Sequence, residues 1–225
     1  DFQFHTTLSD GRASLWEMAQ AARAAGLKYA LVSDHSRGLG VAHGAGPEEL
    51  RRQRAEIEEV NRRMGGAFRV LAGVEVEVRA DGSLDLPDEV LAELDLVVAA
   101  VHSGLRQPRE QFTARAVAAL RHPHVDILAH PTRGLRKASI AVPSHYYNII
   151  IEKAFSRGIA LEVNAHSLDP NSIFLRRCLE KGAKLAFNTD SHSLKEFGDF
   201  SFHKLMLKEA GVNGKEPLEN CFQLE

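Results

Sequence analysis

Histidine and carboxylate residues stand at the ends of successive apolar runs along this chain. His5 closes Phe2-Gln3-Phe4, and Asp10 follows in Ser9-Asp10-Gly11. Ser33-Asp34-His35 ends Tyr29-Ala30-Leu31-Val32, and Glu75 ends the run that starts at Val70. His102 follows the run from Leu96 to Val101, and His130 follows the run from Val125 to Ala129. Asn164 and His166 come after Ala160-Leu161-Glu162-Val163, and Asp190 and His192 after Lys184-Leu185-Ala186-Phe187. A single histidine after a strand is most often a hydrogen-bonded loop or core residue. So many ionisable groups gathered in one place would be costly to bury without a cation. Mixed imidazole and carboxylate ligands suit Zn, Mn or Fe better than Ca, which prefers oxygen alone. Two close divalent ions, roughly 3.5–4 Å apart, can share a water and lower its pKa toward neutrality.

The elements that must position these residues alternate. Each apolar run is short and rich in Val, Ile or Leu, as a strand buried on both faces should be. Helical patterns separate them: Leu15 to Ala25, Pro47 to Met64, a short one from Asp88, Glu110 to Leu120, His145 to Ser156, Asn171 to Glu180 and Ser201 to Ala210. Strands alternating with helices imply parallel pairing through right-handed crossovers. A closed barrel is favoured over an open doubly wound sheet, because a barrel opens all its strand C-termini on one face. The expectation is an α/β fold, a distorted seven-stranded (β/α)7 TIM-like barrel, formed by one domain over residues 1–225.

The composition is that of an ordinary globular protein, with 44% hydrophobic and 26% charged residues, which excludes a disordered chain. No run approaches the ~18 apolar residues of a membrane span. Cys178 and Cys221 cannot make a disulfide framework, and no signal peptide is visible, so a reducing cytoplasm is expected. The start at Asp1 without Met fits a domain excised from a longer chain. A formal charge of −2 does not advertise nucleic-acid binding, although a local basic groove is compatible with it.

The motifs Phe4-His5-Thr6-Thr7 with Ser9-Asp10-Gly11, Asp34-His35-Ser36, Gly73-Val74-Glu75, Val101-His102-Ser103, Ala129-His130-Pro131 and Thr189-Asp190-Ser191-His192 resemble those of the PHP family, the polymerase and histidinol phosphatase phosphoesterases. The resemblance covers nearly the whole chain and implies a cleft with two to three divalent transition metals (Zn, Mn or Fe). It implies His5, Glu75 and Asp190 as ligands of a first metal. Glu75 would bridge to a second, also held by His102 and His130, and Asp10, His35 and His192 would hold a third. The family's first motif is His-x-His, and here its first position is Gln3, which offers a weaker carbonyl oxygen. The same Gln is familiar in the PHP domains of bacterial and archaeal family X DNA polymerases. Leu39-Gly40-Val41-Ala42, Asp81-Gly82-Ser83-Leu84-Asp85 and His122-Pro123-His124-Val125 extend that likeness. It implies DNA 3′-end processing, including 3′–5′ exonuclease activity, and a covalently linked polymerase domain.

Around these residues several roles are open. Ser33, Ser36 and Ser103 could orient neighbouring ligands. Asp34 could hold the His35 imidazole or cap a loop. Arg37, Arg106, Arg133 and Arg136 follow strand ends and could fork onto phosphate, with Arg133 the strongest candidate and Arg37 included. His166 and His43 could reach substrate, whereas His122, His124, His145 and His203 read as surface or capping residues, and Trp16 and Phe68 as core. Three functions compete. The first is a phosphodiesterase acting on DNA 3′ ends. The second is a small-molecule phosphomonoesterase of the histidinol-phosphatase type. The third is a catalytically silent structural module, which should have lost ligands, and only Gln3 deviates.

Overall fold

The computed structural model describes residues 1–139, 142–212 and 221–222. Six parallel strands form one sheet in the order of the chain: β1 (Tyr29–Val32), β2 (Arg69–Glu77), β3 (Leu96–Ala100), β4 (Ile127–Leu128), β5 (Ala160–Asn164) and β6 (Leu185–Asn188). A doubly wound sheet would reverse its order part-way. Here each strand pairs with its sequence neighbours, as in a curled, singly wound barrel sheet. Among the described residues there is no seventh strand. The Phe2–His5 segment instead makes isolated parallel bridges at Phe4, to Val32 on one side and to Ser191 on the other. Phe4 N–H donates to Leu31 O at 3.2 Å, and His5 N–H donates to Ser191 O at 2.9 Å. The segment links the first strand to the chain leaving the last, but its paired stretch is too short to make a strand.

The helices fall close to their expected bounds. They are α1 (Leu15–Ala24), α2 (Pro47–Met64), α3 (Asp88–Leu91), α4 (Arg109–Ala119), α5 (Arg133–Lys137), α6 (Ser144–Arg157), α7 (Ser172–Lys181) and α8 (Ser201–Glu209). Ser14 and Glu17 form a capping box that starts α1. Pro47 opens α2, and Gly65, in the left-handed region, closes it. The one helix that the hydrophobic pattern does not announce is α5. It has five residues, too few for a periodicity to show. No helix among the described residues is long and apolar enough to cross a membrane.

Two apolar layers result from strand alternation. Ala30 and Val32 pack outward against α1 and α2 with Phe4, Met18 and Ile57, whereas Leu31 faces inward with Leu71, Val98, Ala100, Ile127, Ala160 and Ala186. The inner layer is small, with four alanines, so the strands can curl tightly. Inward positions then turn polar toward the strand C-termini. On β2, Val74 and Val76 face the outer layer, which leaves Glu75 and Glu77 on the inner face. The same period of two runs from Ala160 to Glu162 and Asn164, and from Ala186 to Asn188 and Asp190.

Phe4 is fully buried and belongs to the segment that ties β1 to Ser191. Phe4→Ala should lower stability by about 3–5 kcal/mol, the usual cost of a large core truncation. A urea titration followed by circular dichroism measures it, and a loss under ~1 kcal/mol would show that this segment does not hold the fold together.

Candidate metal centre

The strand C-termini bring Asp10, His35, Glu75, His102, His130, Asp190 and His192 together in one cleft of about 470 Å³, with the fully buried His5 packed against Glu75 and Asp190. Glu75 lies at the centre and is almost fully buried. One of its oxygens is 3.1 Å from His130 Nε2 and 3.3 Å from His102 Nε2, and those two ring nitrogens are themselves 3.1 Å apart. The other is 3.0 Å from His35 Nδ1 and 3.6 Å from His5 Nε2. His5 Nε2 also meets Asp190 Oδ1 at 2.9 Å. Asp10 faces His35 at 3.5 Å and His192 at 3.4 Å. The rings stack as well, His5 lying 4.4 Å from His35 and 4.3 Å from His192 between centroids.

The backbone helps to aim two of these groups. His130 has φ of 26° and Asp190 has φ of 55°, both in the left-handed region that non-glycine residues seldom adopt. Ala129 faces the inner layer, so regular alternation would turn His130 outward; the positive φ breaks that alternation at His130. Gly11 is required because a Cβ there would collide with the His5 carbonyl, against which the Asp10 loop folds back.

Electrostatics bind the cluster. Burial opposes ionisation of Glu75, but the charges of His102 and His35 and the contacts from His102 and His130 hold its carboxyl well below the ordinary range. Burial likewise opposes charge on His35, and Glu75 with Asp10 outweighs it, raising its pKa to about 10. His192, half-buried beside Asp10 and Asp190, is raised against burial to about 9. His130 goes the other way, lowered chiefly by burial.

A second ring of buried carboxylates holds the first, and this ring was not picked out from the sequence. Glu77 accepts from the N–H of His102 and of Ser103, from the Ser103 hydroxyl at 2.5 Å, and from His102 Nδ1 at 3.1 Å. That bond puts the proton on Nδ1 and turns Nε2 toward Glu75. Glu162 accepts the His130 N–H at 2.7 Å and amide donors from Asn164 and Asn188. Burial first, then the nearby Asp190, pushes its carboxyl well above the ordinary range. Asn164 also donates to Asp190 at 3.0 Å. Asp34 caps the loop rather than holding an imidazole. It accepts from Thr6 N–H and hydroxyl, Ser9 hydroxyl and Gln53 amide. Ser103 acts on His102 through the Glu77 carboxylate, and the Ser36 hydroxyl accepts the Glu77 N–H at 2.9 Å. Ser33 bonds a backbone carbonyl and Ser36 bonds Asp85. The period-two alternation beyond each inward apolar residue was the signal for Glu77 and Glu162.

The rim differs from expectation in part. Arg133 and His166 line the cleft. Arg37 does not: its guanidinium is 65% exposed and pairs with Glu49 at 2.6 Å, and its backbone N–H bonds the Ala45 carbonyl just ahead of α2. Arg106 and His43 are also outside the cleft lining, and Arg136 is committed to Asp169 at 3.3 Å and to the Ser167 carbonyl. Arg12, Lys137 and Glu196 join the lining instead. His166 stacks on His192 at 4.6 Å. His203 is buried and bonds the carbonyls of Val163 and Asn188, tying α8 to the ends of β5 and β6. Phe68 is core, and Trp16 is partly buried under the Arg63 guanidinium.

The donor set suits divalent transition metals. Gln3 is fully buried with both amide atoms unpartnered, and His5 Nδ1 makes no hydrogen bond. His35 Nδ1 is close to Glu75 but off the line a hydrogen bond needs. Buried polar groups normally find partners, so polar atoms that converge without pairing are what ligands around a cation show.

Comparison with known proteins agrees with this chemistry. No protein-family model matches the chain. It is 40% identical over 203 residues to the DNA polymerase/3′-5′ exonuclease PolX of Bacillus subtilis, covering 88% of this chain but only 35% of that protein. It is also 30% identical over 228 residues to a probable phosphatase of Thermoanaerobacter sp. strain X514, covering 92% of this chain and 85% of the relative. The chain belongs to the PHP family. As a PHP-family phosphoesterase it is a hydrolase of phosphate esters. In fold it is similar to the histidinol phosphate phosphatase of Lactococcus lactis, solved with zinc, L-histidinol and phosphate. That likeness has a TM-score of 0.68 at 16% identity, over 95% of this chain and 94% of the other.

The Asp34 contacts generate a prediction. Asp34→Ala would leave four buried or half-buried donors unpaired, each worth about 1–3 kcal/mol to leave unmade. Stability should fall by roughly 3 kcal/mol or more in urea unfolding. A change under ~1 kcal/mol would mean that this carboxylate does not anchor the Asp10 loop.

Proposed function

We propose that this domain hydrolyses phosphodiesters at DNA 3′ ends, using two to three divalent transition metals. The observation that carries the reading is a cluster of buried imidazoles and carboxylates in a cleft whose rim bears Arg12, Arg133 and Lys137. The likeness to PolX supports DNA as substrate, and whatever polymerase portion the full-length protein carries belongs to the same proposal. We propose that the Phe2–His5 segment, although paired only at Phe4, takes the place of a seventh strand and closes the barrel, and that residues 1–225 are one PHP domain acting in the cytoplasm.

His5, Glu75 and Asp190, with Gln3, would hold one metal; Glu75, His102 and His130 a second; Asp10, His35 and His192 a third. Bound metals would supply an activated water and neutralise charge on the phosphoryl oxygens. The chain's own residues do the rest. Glu77 keeps the His102 Nε2 lone pair free, and Glu162 with Asn164 fixes His130 and Asp190. Arg133, beside His130, takes a non-bridging phosphate oxygen, and Arg12 approaches from the His192 side. His166 covers His192 on the substrate side.

The second reading, a small-molecule phosphomonoesterase, is favoured by one observation: a relative that this chain spans over 85% of its length is a probable phosphatase. Metal-reconstituted protein should degrade a 3′-labelled oligonucleotide faster than it hydrolyses p-nitrophenyl phosphate. A chelator should abolish both activities, and Glu75→Ala should reduce both to background, because Glu75 would help to hold two of the metals. Turnover of the phosphomonoester alone would sink the DNA reading, and wild-type turnover by Glu75→Ala would sink the bridge.

Gln3 offers a neutral oxygen where the family has imidazole, and carbonyl oxygen suits Mn better than Zn. The first metal should therefore be the most exchangeable, and Mn should support activity at least as well as Zn. Gln3→His should tighten that site and shift preference toward Zn, read by equilibrium dialysis and by metal titration of activity. Identical dependence in both proteins would mean that Gln3 does not touch the metal.

A further inference from the structure

Arg12, Arg133 and Lys137 line the cleft, and none has a carboxylate within ion-pair distance among the described residues. Arg37, Arg52, Arg136 and Lys181, by contrast, each pair with an acidic side chain. Unpaired cations gathered in a concave site repel one another and favour an anionic ligand.

The helix α5 is built to present two of them. Leu135 is fully buried, and a Cβ at Gly134 would collide with the Phe112 ring, so this side of the helix is pressed into the core. Before the helix, Thr132 N–H donates to Asp169 at 2.9 Å, and the Tyr146 hydroxyl donates to the Pro131 carbonyl at 2.6 Å. Arg136 turns away from the cleft to Asp169 and Ser167. Arg133 and Lys137, four residues apart, share the remaining face. Burial and then the Arg133 charge lower the Lys137 ammonium, and the Arg133 charge is felt at His130 too. The row therefore runs from His130 through Arg133 to Lys137.

One phosphate at the cluster is served by Arg133 on one side and by Arg12 on the other. Arg12 is held beside His192, whose carbonyl accepts the Arg12 N–H at 2.8 Å. Lys137 lies one helical turn farther, ~6 Å along the axis, which is comparable to the step between neighbouring phosphates of a strand. We propose that Lys137, together with Arg133, forms a subsite for a second phosphate next to the one hydrolysed, so that the substrate carries two phosphates one nucleotide apart. The inference rests on the phosphoesterase reading and narrows its substrate class. The second phosphate has two sources: the next diester of a DNA strand, or the terminal phosphate of a small bisphosphate.

The test compares substrates that differ by that phosphate alone. They are thymidylyl-(3′→5′)-thymidine with and without a 5′-phosphate, and thymidine 5′-monophosphate against thymidine 3′,5′-bisphosphate. The wild-type enzyme should favour the doubly phosphorylated member of a pair by about 10-fold in kcat/KM, the effect of one charge-assisted hydrogen bond. Lys137→Ala should shrink that ratio to about 2 or less, and Lys137→Arg should keep most of it. On a longer oligonucleotide, the slope of log(kcat/KM) against log salt should also fall by about 0.7 in Lys137→Ala. A purely structural role for Lys137 moves neither readout. An unchanged ratio and slope in Lys137→Ala would overturn the subsite, even if DNA is cleaved. A Lys137-dependent preference seen only with the nucleoside bisphosphate would support the subsite and overturn the DNA reading.

Discussion

Glu75 sits within 3.0–3.6 Å of four imidazoles, those of His5, His35, His102 and His130. The carboxylate comes from the C-terminal half of β2, the longest strand, and the four rings come from four other places in the chain. An anion buried to this depth is tolerated only while its partners stay in place. The strands must therefore hold their register to a fraction of an ångström, and a one-residue slip of β2 would turn Glu75 outward and replace it with Val74 or Val76. The parallel pairing on both sides of β2 is what prevents that slip.

The ligands cannot hold themselves. Glu77, Glu162 and Asp34 each accept several hydrogen bonds, and each is buried behind the cleft rather than in it. Arg115 continues this outward. It is almost fully buried, bonds the carbonyls of Val78 and Ser103 and the side chain of Gln107, and lies 3.7 Å from Glu77. The loop that carries His102 is thus fixed from α4 through Arg115 and Glu77. Buried polar groups that are hydrogen-bonded rigidify a site, and Glu77, Glu162 and Asp34 each accept several bonds. That is why so much polar material behind the cleft is compatible with a stable fold.

The clustering of the cleft imidazoles and carboxylates was legible in the sequence because strand ends are marked twice, by an apolar run and then by an ionisable residue. His5, Asp10, His35, Glu75, His102, His130, Asp190 and His192 all lie where that pattern puts them, around one cleft. The alternating helices were legible for the same reason, and α2 follows its expected bounds from Pro47 to Met64. The first run was harder. Phe2–His5 reads as a strand, yet it pairs only at Phe4, and a local pattern cannot tell a strand from an extended segment wedged between two others. Arg37 was misplaced because a turn decides where it points, and turns carry no periodicity. Arg12 and Lys137 were missed because their role depends on how the Asp10 loop and α5 fold over the cleft.

This difference between ligands and rim separates chemistry from specificity. The cluster hangs on strand ends whose geometry is set by sheet register, so its composition can stay nearly constant while the surroundings vary. The rim cations Arg133 and Lys137 hang on α5, a five-residue helix held to its neighbours at a few points. In α5 those contacts are the Thr132–Asp169 pair, Arg136, and the close approach of Gly134 to Phe112. Changing any of them would move Arg133 and Lys137 relative to His130 without disturbing Glu75. A phosphoesterase built this way can exchange one phosphate ester for another by re-aiming a five-residue helix. A likeness in sequence to a DNA polymerase/3′-5′ exonuclease and in fold to a histidinol phosphate phosphatase is compatible with such a division.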